Sequence, residues 1–216
     1  MASTQTVALG PHTRVVRSAL DHAKAQRYLP RLWQKDASLF SSDRAVQAAI
    51  RDRLGWLTFS RDMAQHVGTL QRMAQDVCRG GFTHVLLLGM GGSGLFSEVC
   101  RNTFGAAPGH PDLTVLDTTD PAAIQHAQQQ CPLPQLFVIV SSKSGATSET
   151  TALSKYFYHA FTSANGAPGA HCIAITDAGT PLEAQASAWQ FRRTFVHGPA
   201  SGADVGGRFS ALTYFG

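Results

Sequence analysis

Ten residues in the C-terminal half of the chain carry a dense set of groups that could bind an anion. Residues 141–150 read SSKSGATSET and place seven hydroxyl or lysine side chains in ten positions, directly after the apolar run QLFVIV. Ser142, Ser144 and Thr147 offer three hydroxyl groups just before a predicted helix, whose N-terminal N–H groups also attract negative charge. Lys143 adds a cation. The sequence therefore predicts a compact site for a dianionic phosphate.

The same stretch also admits a purely structural explanation. In a capping box, a Ser or Thr side chain caps the start of a helix and a Glu in the first turn returns the hydrogen bond, and Glu149 stands in that position. Such a box uses one hydroxyl and one carboxylate, so it leaves the remaining hydroxyls unexplained. We expect capping to coexist with binding, and Glu149 to support the loop.

A second loop, GMGGSG (89–94), lies between a predicted buried strand and a helix. Gly89, Gly91 and Gly94 satisfy the dinucleotide pattern G-x-G-x-x-G, and Asp117 ends the next strand, where such folds bind a ribose hydroxyl. Glycines at this place serve any anion, because backbone N–H groups can then approach the ligand, and they also suit a tight turn that binds nothing. A dinucleotide fold does not need the second, hydroxyl-rich loop, so the two loops together favour a small phosphorylated ligand. A nicotinamide-binding oxidoreductase domain stays the weaker alternative.

After Thr83, short apolar runs alternate with helical patterns, and this alternation predicts the fold that positions both loops. Short apolar runs lie at 84–89, 113–117, 135–141 and 170–176, with a weaker one at 190–195, and helical patterns lie at 93–104, 120–130, 147–163 and 180–187. Strands that are apolar on both faces and separated by helices indicate an α/β fold with a doubly wound, flavodoxin-like parallel sheet of about five strands. Ligands of such sheets bind beyond the carboxyl ends of the strands, where both polar loops fall.

The first part of the chain reads as helices. Apolar residues recur with a period near 3.6 within 15–28 and within 63–77, and Ser42 or Asp43 can cap a helix between them. Gly80 and Gly81 end this half. We therefore expect a helical N-terminal segment, 1–81, that packs on the sheet of an α/β domain at 82–216.

Composition and charge exclude several classes of protein. With 44% hydrophobic and 15% charged residues, the chain is typical of a globular protein. Residues 1–82 hold 12 Lys and Arg against 6 Asp and Glu, while residues 83–216 hold 6 against 8. No dense basic run with interleaved aromatics accompanies this excess, so it predicts a solvated helical face and no nucleic-acid partner.

Neither a membrane segment nor a metal centre is predicted. No apolar run approaches the ~20 residues of a membrane helix, and MASTQTVALG lacks the apolar core of a signal peptide, so we expect a cytoplasmic protein without a membrane partner. Cys78, Cys100, Cys131 and Cys172 are spaced singly and are predicted to be reduced and mostly buried. The nine histidines show no ligand spacing. We expect no metal and no cofactor.

Three motifs in one order give the chain a specific resemblance. GMGGS, SSKSGATSET and VGGRFS (205–210) resemble the glycine loop, the phosphate loop and the arginine signature of the sugar isomerase (SIS) domain, in particular the N-terminal part of glucose-6-phosphate isomerase. RLGWL (53–57) and LDTTDP (116–121) resemble the version that is fused behind transaldolase in some bacteria. The resemblance covers about residues 50–216. It implies an SIS-type α/β fold and a place in glycolysis, gluconeogenesis and the pentose phosphate pathway.

The resemblance implies that the loop after the third strand binds the phosphate of a hexose 6-phosphate. Carried over residue by residue, Ser142, Ser144 and Thr147 would hold the phosphate, with Lys143 beside them.

The other two motifs would contact the sugar. Gly91, Gly92 and Ser93 would bind it through the backbone and one hydroxyl. Arg208 would stabilise the enediolate formed between glucose 6-phosphate and fructose 6-phosphate, because a guanidinium stays cationic at all relevant pH. A surface ion pair is the structural alternative for Arg208.

The chain also departs from the family. The glutamate base and the ring-opening histidine of the family follow the arginine signature, and this chain ends eight residues after Arg208. We therefore expect an isolated chain without its base, inactive alone, with a missing C-terminal SIS subdomain as partner and a homodimer as a possible assembly. Asp177 is predicted to cap the next helix, Asp204 has no clear role, and Gly94 stands where the family has a larger residue. A non-catalytic module that senses a sugar phosphate is the alternative function.

Overall fold

The computed structural model describes residues 7–130, 132–164, 166–198 and 205–215. Cys131 and Asp204, which were considered above, lie outside the described residues. The chain divides into two compact units, Met1–Leu54 and Gly55–Gly216. In the described part, no helix is both long and apolar enough to cross a bilayer.

The first unit contains short helices. They are α1 (Thr13–Ala25), α2 (Tyr28–Trp33) and α3 (Arg44–Arg51). Asp43 caps α3, because its carboxylate accepts a hydrogen bond from the N–H of Ala45 at 2.7 Å. Hydrogen bonds from the side chains of Ser38 and Arg31 lower the pKa of Asp36 to about 2. Arg31 and Asp36 are half-buried, and their pairing fixes the turn between α2 and α3.

The second unit alternates helices with strands, as the sequence predicts. Two helices, α4 (Trp56–Met63) and α5 (Val67–Arg79), precede the first strand. The strands are β1 (His84–Gly89), β2 (Asp112–Leu116), β3 (Leu136–Ser141), β4 (Cys172–Asp177) and β5 (Arg193–His197). The helices between them are α6 (Leu95–Phe104), α7 (Pro121–Gln129), α8 (Ser148–Ser163) and α9 (Pro181–Ala188).

The five strands form one parallel sheet in the order β2-β1-β3-β4-β5. The predicted fold class, a flavodoxin-like doubly wound α/β sheet preceded by helices, is confirmed. In this order the chain runs outward in one direction after β1 and in the other after β3, so the loops that follow these two neighbouring strands diverge and leave a crevice. Ligands of doubly wound sheets bind at such a switch point.

One face of the sheet is covered by α7, α8 and α9. Leu88 and Val140, from the two central strands, pack there against Leu153 and Phe157 of α8, and all four side chains are buried almost completely. Because parallel sheets bury both faces, these strands read as continuous apolar runs.

The other face packs against α5 and the C-terminal residues. Met73 and Val77 of α5 lie in one buried cluster with Phe137, Ile173 and Phe215. This packing agrees with the compact unit Gly55–Gly216, which includes α5 together with the sheet.

The described cysteines are free thiols. Cys78 and Cys100 are half-buried and Cys172 is buried. Burial raises the pKa of the Cys172 thiol to about 12, so this group stays protonated and packs as a small apolar residue.

The core under α8 provides a direct stability test. We expect Phe157→Ala to lower the free energy of unfolding of the α/β unit by about 3–5 kcal/mol, because it leaves a cavity in place of a fully buried ring. The matched control is Phe104→Ala in α6, where the ring is 81% exposed; we expect a change within about 0.5 kcal/mol. Urea unfolding of both variants measures the difference, and equal losses would contradict the assignment of this core.

Candidate functional site

Three segments from distant parts of the sequence meet at the carboxyl edge of the sheet. We call residues 89–94, after β1, the glycine loop; residues 141–147, after β3, the hydroxyl loop; and residues 205–212 the arginine segment. The glycine loop contains a short 3₁₀ helix, Gly91–Ser93, and the arginine segment contains another, Gly207–Leu212. They correspond to the three motifs of the sequence.

A buried hydrogen bond joins the glycine loop to the hydroxyl loop. Gly89 and Ser141 are partners in the pairing of β1 with β3. Beyond that pair, the Ser141 hydroxyl donates to the carbonyl oxygen of Ser93 at 2.9 Å. Ser141 is 1% exposed, so the bond is shielded from water and holds the two loops at a fixed separation.

The arginine segment lies directly against the glycine loop. The Ser210 hydroxyl is 2.6 Å from the carbonyl oxygen of Gly207 and 3.4 Å from that of Gly92. A Cβ atom on Gly92 would come within 2.2 Å of the Gly207 oxygen, so the backbones can touch because residue 92 has no side chain. The ring of Phe209 stacks on Trp56 of α4, with centroids 5.4 Å apart, and holds the other side of this segment.

The hydroxyl loop is tightly folded. The N–H of Gly145 donates to the carbonyl oxygen of Ser142 at 3.1 Å, and the Ser142 hydroxyl donates to Thr147 Oγ1 at 3.2 Å. Gly145 has φ +63°, and a Cβ atom there would lie 2.6 Å from the Cβ of Thr180. Glycine is required at this turn for both reasons. Ser144 is exposed, and its oxygen accepts from the N–H of Ala146.

The predicted capping box at the start of α8 does not form with Thr147 as the capping residue. Thr147 occupies the N-cap position of α8, yet its side chain makes no capping hydrogen bond; its hydroxyl faces Ser142 instead. Glu149 lies exposed in the first turn. The start of this 16-residue helix is therefore left without a Thr147 cap, and its N–H groups and positive dipole end adjoin the loop hydroxyls.

Lys143 forms an ion pair with Asp177 at the end of β4. Nζ of Lys143 contacts Oδ2 of Asp177, and the two side chains are 20% and 6% exposed. The prediction that Asp177 caps the following helix is wrong. Thr180 caps α9, because its side chain accepts from the N–H of Glu183 at 3.3 Å. The Asp177 carboxylate pairs instead with the half-buried Lys143, 34 residues earlier in the chain, a contact that sequence spacing does not reveal.

Arg208 lies on the 3₁₀ helix of the arginine segment and its side chain is exposed. Within the residues that the structure describes, it takes part in no ion pair of the kind that was the structural alternative. The guanidinium therefore projects from a backbone that is fixed against the glycine loop.

Backbone conformation at Gly91 and close packing at Gly89 and Gly94 account for the glycines of the dinucleotide-like pattern. Gly91 has φ +55°, a Cβ atom on Gly89 would lie 2.8 Å from the carbonyl oxygen of Ser93, and one on Gly94 would lie 3.0 Å from that of Gly89. These contacts arise within the loop itself, so a dinucleotide is not needed to explain the pattern. Asp117 is exposed just beyond β2.

Sequence reasoning missed two groups that assemble the site. Ser141 and Ser210 both stand inside the quoted motifs, but their hydroxyls bond to backbone carbonyl oxygens of the glycine loop and do not face the crevice as ligand donors. A buried hydroxyl at the end of an apolar strand is the signal that could have singled out Ser141. As for metals, the described residues contain no cluster of three or more His, Cys, Asp or Glu that could hold an ion.

Comparison with known proteins agrees with the three motifs. No protein-family profile matches the chain. A curated glucose-6-phosphate isomerase from Geobacter sulfurreducens is 30% identical over 175 residues, which cover 77% of this chain and 31% of that protein. One from Synechococcus sp. (strain JA-2-3B'a(2-13)) is 36% identical over 146 residues, or 65% of this chain and 26% of that protein.

The chain is a relative of the glucose-6-phosphate isomerases. It spans between a fifth and a third of their length, 21% for the isomerase of Geobacter sp. (strain M21) and 31% for that of Geobacter sulfurreducens. The resemblance drawn from the motifs is confirmed at this level.

Solved structures agree on the fold. A glucose-6-phosphate isomerase from Chlamydia trachomatis superposes on 85% of the chain and 33% of its own length, with a TM-score of 0.58 and 23% identity. A hypothetical protein from Thermus thermophilus superposes on 92% of the chain and 44% of its own length, with a TM-score of 0.66 and 23% identity. At this identity the likeness concerns the fold alone.

The contact between the glycine loop and the arginine segment can be tested separately from any ligand. We expect Gly92→Ala to destabilise this isomerase relative by about 1–3 kcal/mol, because the new methyl group must displace the backbone at Gly207. Gly207→Ala is the control, since a Cβ atom there meets nothing within 4 Å, and we expect a change within about 0.5 kcal/mol. Thermal unfolding distinguishes them. If Gly92→Ala is as stable as the control, the two segments do not touch as described.

Proposed function

We propose that the chain is the substrate-phosphate-binding part of a glucose-6-phosphate isomerase, which interconverts glucose 6-phosphate and fructose 6-phosphate through an enediol. The observation that carries the proposal is the meeting of the glycine loop, the hydroxyl loop and the arginine segment at one edge of the sheet, at the switch point between β1 and β3. The sequence relationship to the isomerases is consistent with it.

The phosphate is proposed to bind at the hydroxyl loop. Ser142, Ser144 and Thr147 supply hydroxyls, and the start of α8 supplies N–H groups that Thr147 does not cap. The helix dipole favours an anion there. Ser144 is exposed, whereas Ser142 is 3% exposed and its hydroxyl donates to Thr147 Oγ1, so Ser142 would exchange that bond for one to the phosphate. Lys143 contributes charge close by, reduced by its pairing with Asp177.

The sugar carbons are proposed to lie over the glycine loop. Gly91, Gly92 and Ser93 stand between the hydroxyl loop, joined through Ser141, and the arginine segment, joined through Ser210. A hexose 6-phosphate anchored by its phosphate would extend across this loop toward Arg208. The exposed guanidinium would then stabilise negative charge that develops on the enediolate oxygens.

The proton transfer itself needs a base that the described residues do not offer in a suitable place. Asp177 is engaged with Lys143, and Glu149 lies in the exposed first turn of α8, which suits support of the loop. We propose that the base and the ring-opening group belong to a C-terminal SIS subdomain, as the resemblance implies.

Further protein is proposed to complete the assembly. The isomerase relatives are at least three times as long as the matched part of the chain, and α6 has no buried residue, with Leu95, Val99 and Phe104 exposed. Exposed apolar surface of this kind marks contact sites; a C-terminal subdomain and a homodimer partner are the proposed occupants. Fusion to transaldolase and a cytoplasmic location remain predictions.

Ligand binding tests the proposal directly. We expect isothermal titration calorimetry to show saturable binding of fructose 6-phosphate to the chain. Ser142→Ala should weaken it about tenfold or more, since hydrogen bonds to a charged group are worth about 1.5–3 kcal/mol. The control Ser187→Ala, exposed at the end of α9, should bind as the unaltered chain does. Absence of binding, or saturable binding of NAD in its place, would overturn the proposal.

A second titration separates an isomerase site from a sugar-phosphate sensor. An enzyme binds its transition state more tightly than its substrate. We therefore expect a five-carbon phosphorylated hydroxamate, which imitates the enediolate, to bind more tightly than fructose 6-phosphate, and Arg208→Ala to remove most of that preference. Equal affinities that Arg208→Ala lowers equally would indicate a sensor.

A further inference from the structure

We infer that Thr176 and Asp177, at the end of β4, are positioning residues that hold the hydroxyl loop in its binding shape before any ligand arrives. The inference rests on the proposed function, because it assigns a purpose to the shape of that loop. Neither residue belongs to the three motifs, and both lie on the neighbouring strand.

The backbone of the hydroxyl loop is bonded to β4 over three successive residues. The N–H of Ser142 donates to the carbonyl oxygen of Ile175 at 3.0 Å, and the N–H of Asp177 donates to that of Lys143 at 3.2 Å. Between these two bonds, the Thr176 hydroxyl donates to the carbonyl oxygen of Ser142 at 2.8 Å. Hydrogen bonding between the two chain segments thus continues past the last paired residues of β3 and β4, and the side chain of Thr176 supplies one of the bonds.

The Thr176 hydroxyl also supports the turn of the loop. Thr176 is 0% exposed, so it cannot contact a ligand in the crevice. Its hydroxyl lies 2.7 Å from Oγ1 of Thr180, and the side chain of Thr180 is the surface against which Gly145 packs. One buried hydroxyl therefore touches the loop at Ser142 and, through Thr180, at Gly145.

Asp177 orients the charged member of the loop. Its carboxylate receives Nζ of Lys143 through Oδ2, while its other oxygen, Oδ1, is buried and has no hydrogen-bond partner among the described residues. Burying a carboxylate with one oxygen unmatched is costly, so the pairing with Lys143 is what stabilises it. The ammonium group is in turn fixed beneath the loop and does not sample the rotamers of a free lysine.

These contacts explain how a loop of hydroxyls and glycine can bind a small anion. A flexible loop loses conformational entropy when it closes on a ligand, and that cost reduces affinity. Here the bonds from β4 have already fixed Ser142, Lys143 and Gly145, so the donors are held in place by a second layer of contacts that itself never meets the ligand.

The decisive variant is Thr176→Val, which keeps the shape of the side chain and removes the hydroxyl. We expect it to raise the dissociation constants of inorganic phosphate and of fructose 6-phosphate about tenfold, and Thr176→Ser, which restores the hydroxyl, to recover most of the affinity. The matched control is Thr114→Val, because Thr114 is half-buried in β2, which β1 and β3 separate from β4 and the hydroxyl loop. If Thr176→Val folds and its dissociation constants for both ligands stay within about twofold of those of the unaltered chain, the inference is overturned.

Asp177→Asn tests the second contact in a double-mutant cycle with Lys143→Met. If Asp177 acts by orienting Lys143, Asp177→Asn should weaken binding of fructose 6-phosphate in the unaltered chain and have no further effect in Lys143→Met. Additive effects would contradict the role assigned to Asp177.

Hydrogen exchange separates failure of the inference from failure of the proposed function. In the chain without ligand, Thr176→Val should speed exchange of the Ser142 and Gly145 amides about tenfold or more, while Thr114→Val leaves them unchanged. If the unaltered chain binds no phosphate compound but the exchange result holds, the proposed function is wrong and the positioning role stands. If binding occurs and exchange is unaltered in Thr176→Val, the positioning role is wrong.

Discussion

The pairing of β1 with β3 is the constraint on which the rest of the site depends. These two strands are buried on both faces, and their last paired residues are Gly89 and Ser141. Because the strands are neighbours while their connections leave in opposite directions, the loops that follow them must border the same crevice. The hydroxyl of Ser141 then bonds to the carbonyl oxygen of Ser93 across that border, so an apolar sheet and a polar site are joined through one serine.

Close backbone contact extends the site outward from this pair. Because Gly92 has no side chain, the arginine segment can pack directly on the glycine loop. Because Gly145 has none, the side chain of Thr180 can pack directly on the hydroxyl loop. A side chain at either position would push two segments apart. The glycines therefore serve contact between segments of the protein, and their similarity to a dinucleotide-binding pattern follows from the shared need for a tight turn between strand and helix.

Much of this fold could be predicted from the sequence, because parallel strands buried on both faces are continuous apolar runs. The run 84–89 coincides with β1, and the other strands begin within a few residues of their predicted starts. The sequence period predicts helices before the sheet but does not reveal which side chains contact it, and α5 does so through Met73 and Val77.

Only part of the candidate site could likewise be predicted from the sequence. Hydroxyls and glycines that cluster in sequence, such as Ser142 and Gly91, could be found from their spacing. Contacts between strands could not be predicted from spacing, because the residues that form them lie far apart in the sequence. Thr176 is 34 residues from Ser142, whose carbonyl oxygen it bonds. Asp177 pairs with Lys143, although the sequence predicts that it caps a helix.

The central claim is that the three segments bind one ligand together, and a fructose 6-phosphate titration followed by ¹⁵N–¹H NMR tests it most directly. The account predicts that amides of Ser142 to Thr147, of Gly91 to Ser93 and of Arg208 shift along one common saturation curve. Shifts confined to a single segment, or no shifts at saturating ligand, would contradict it.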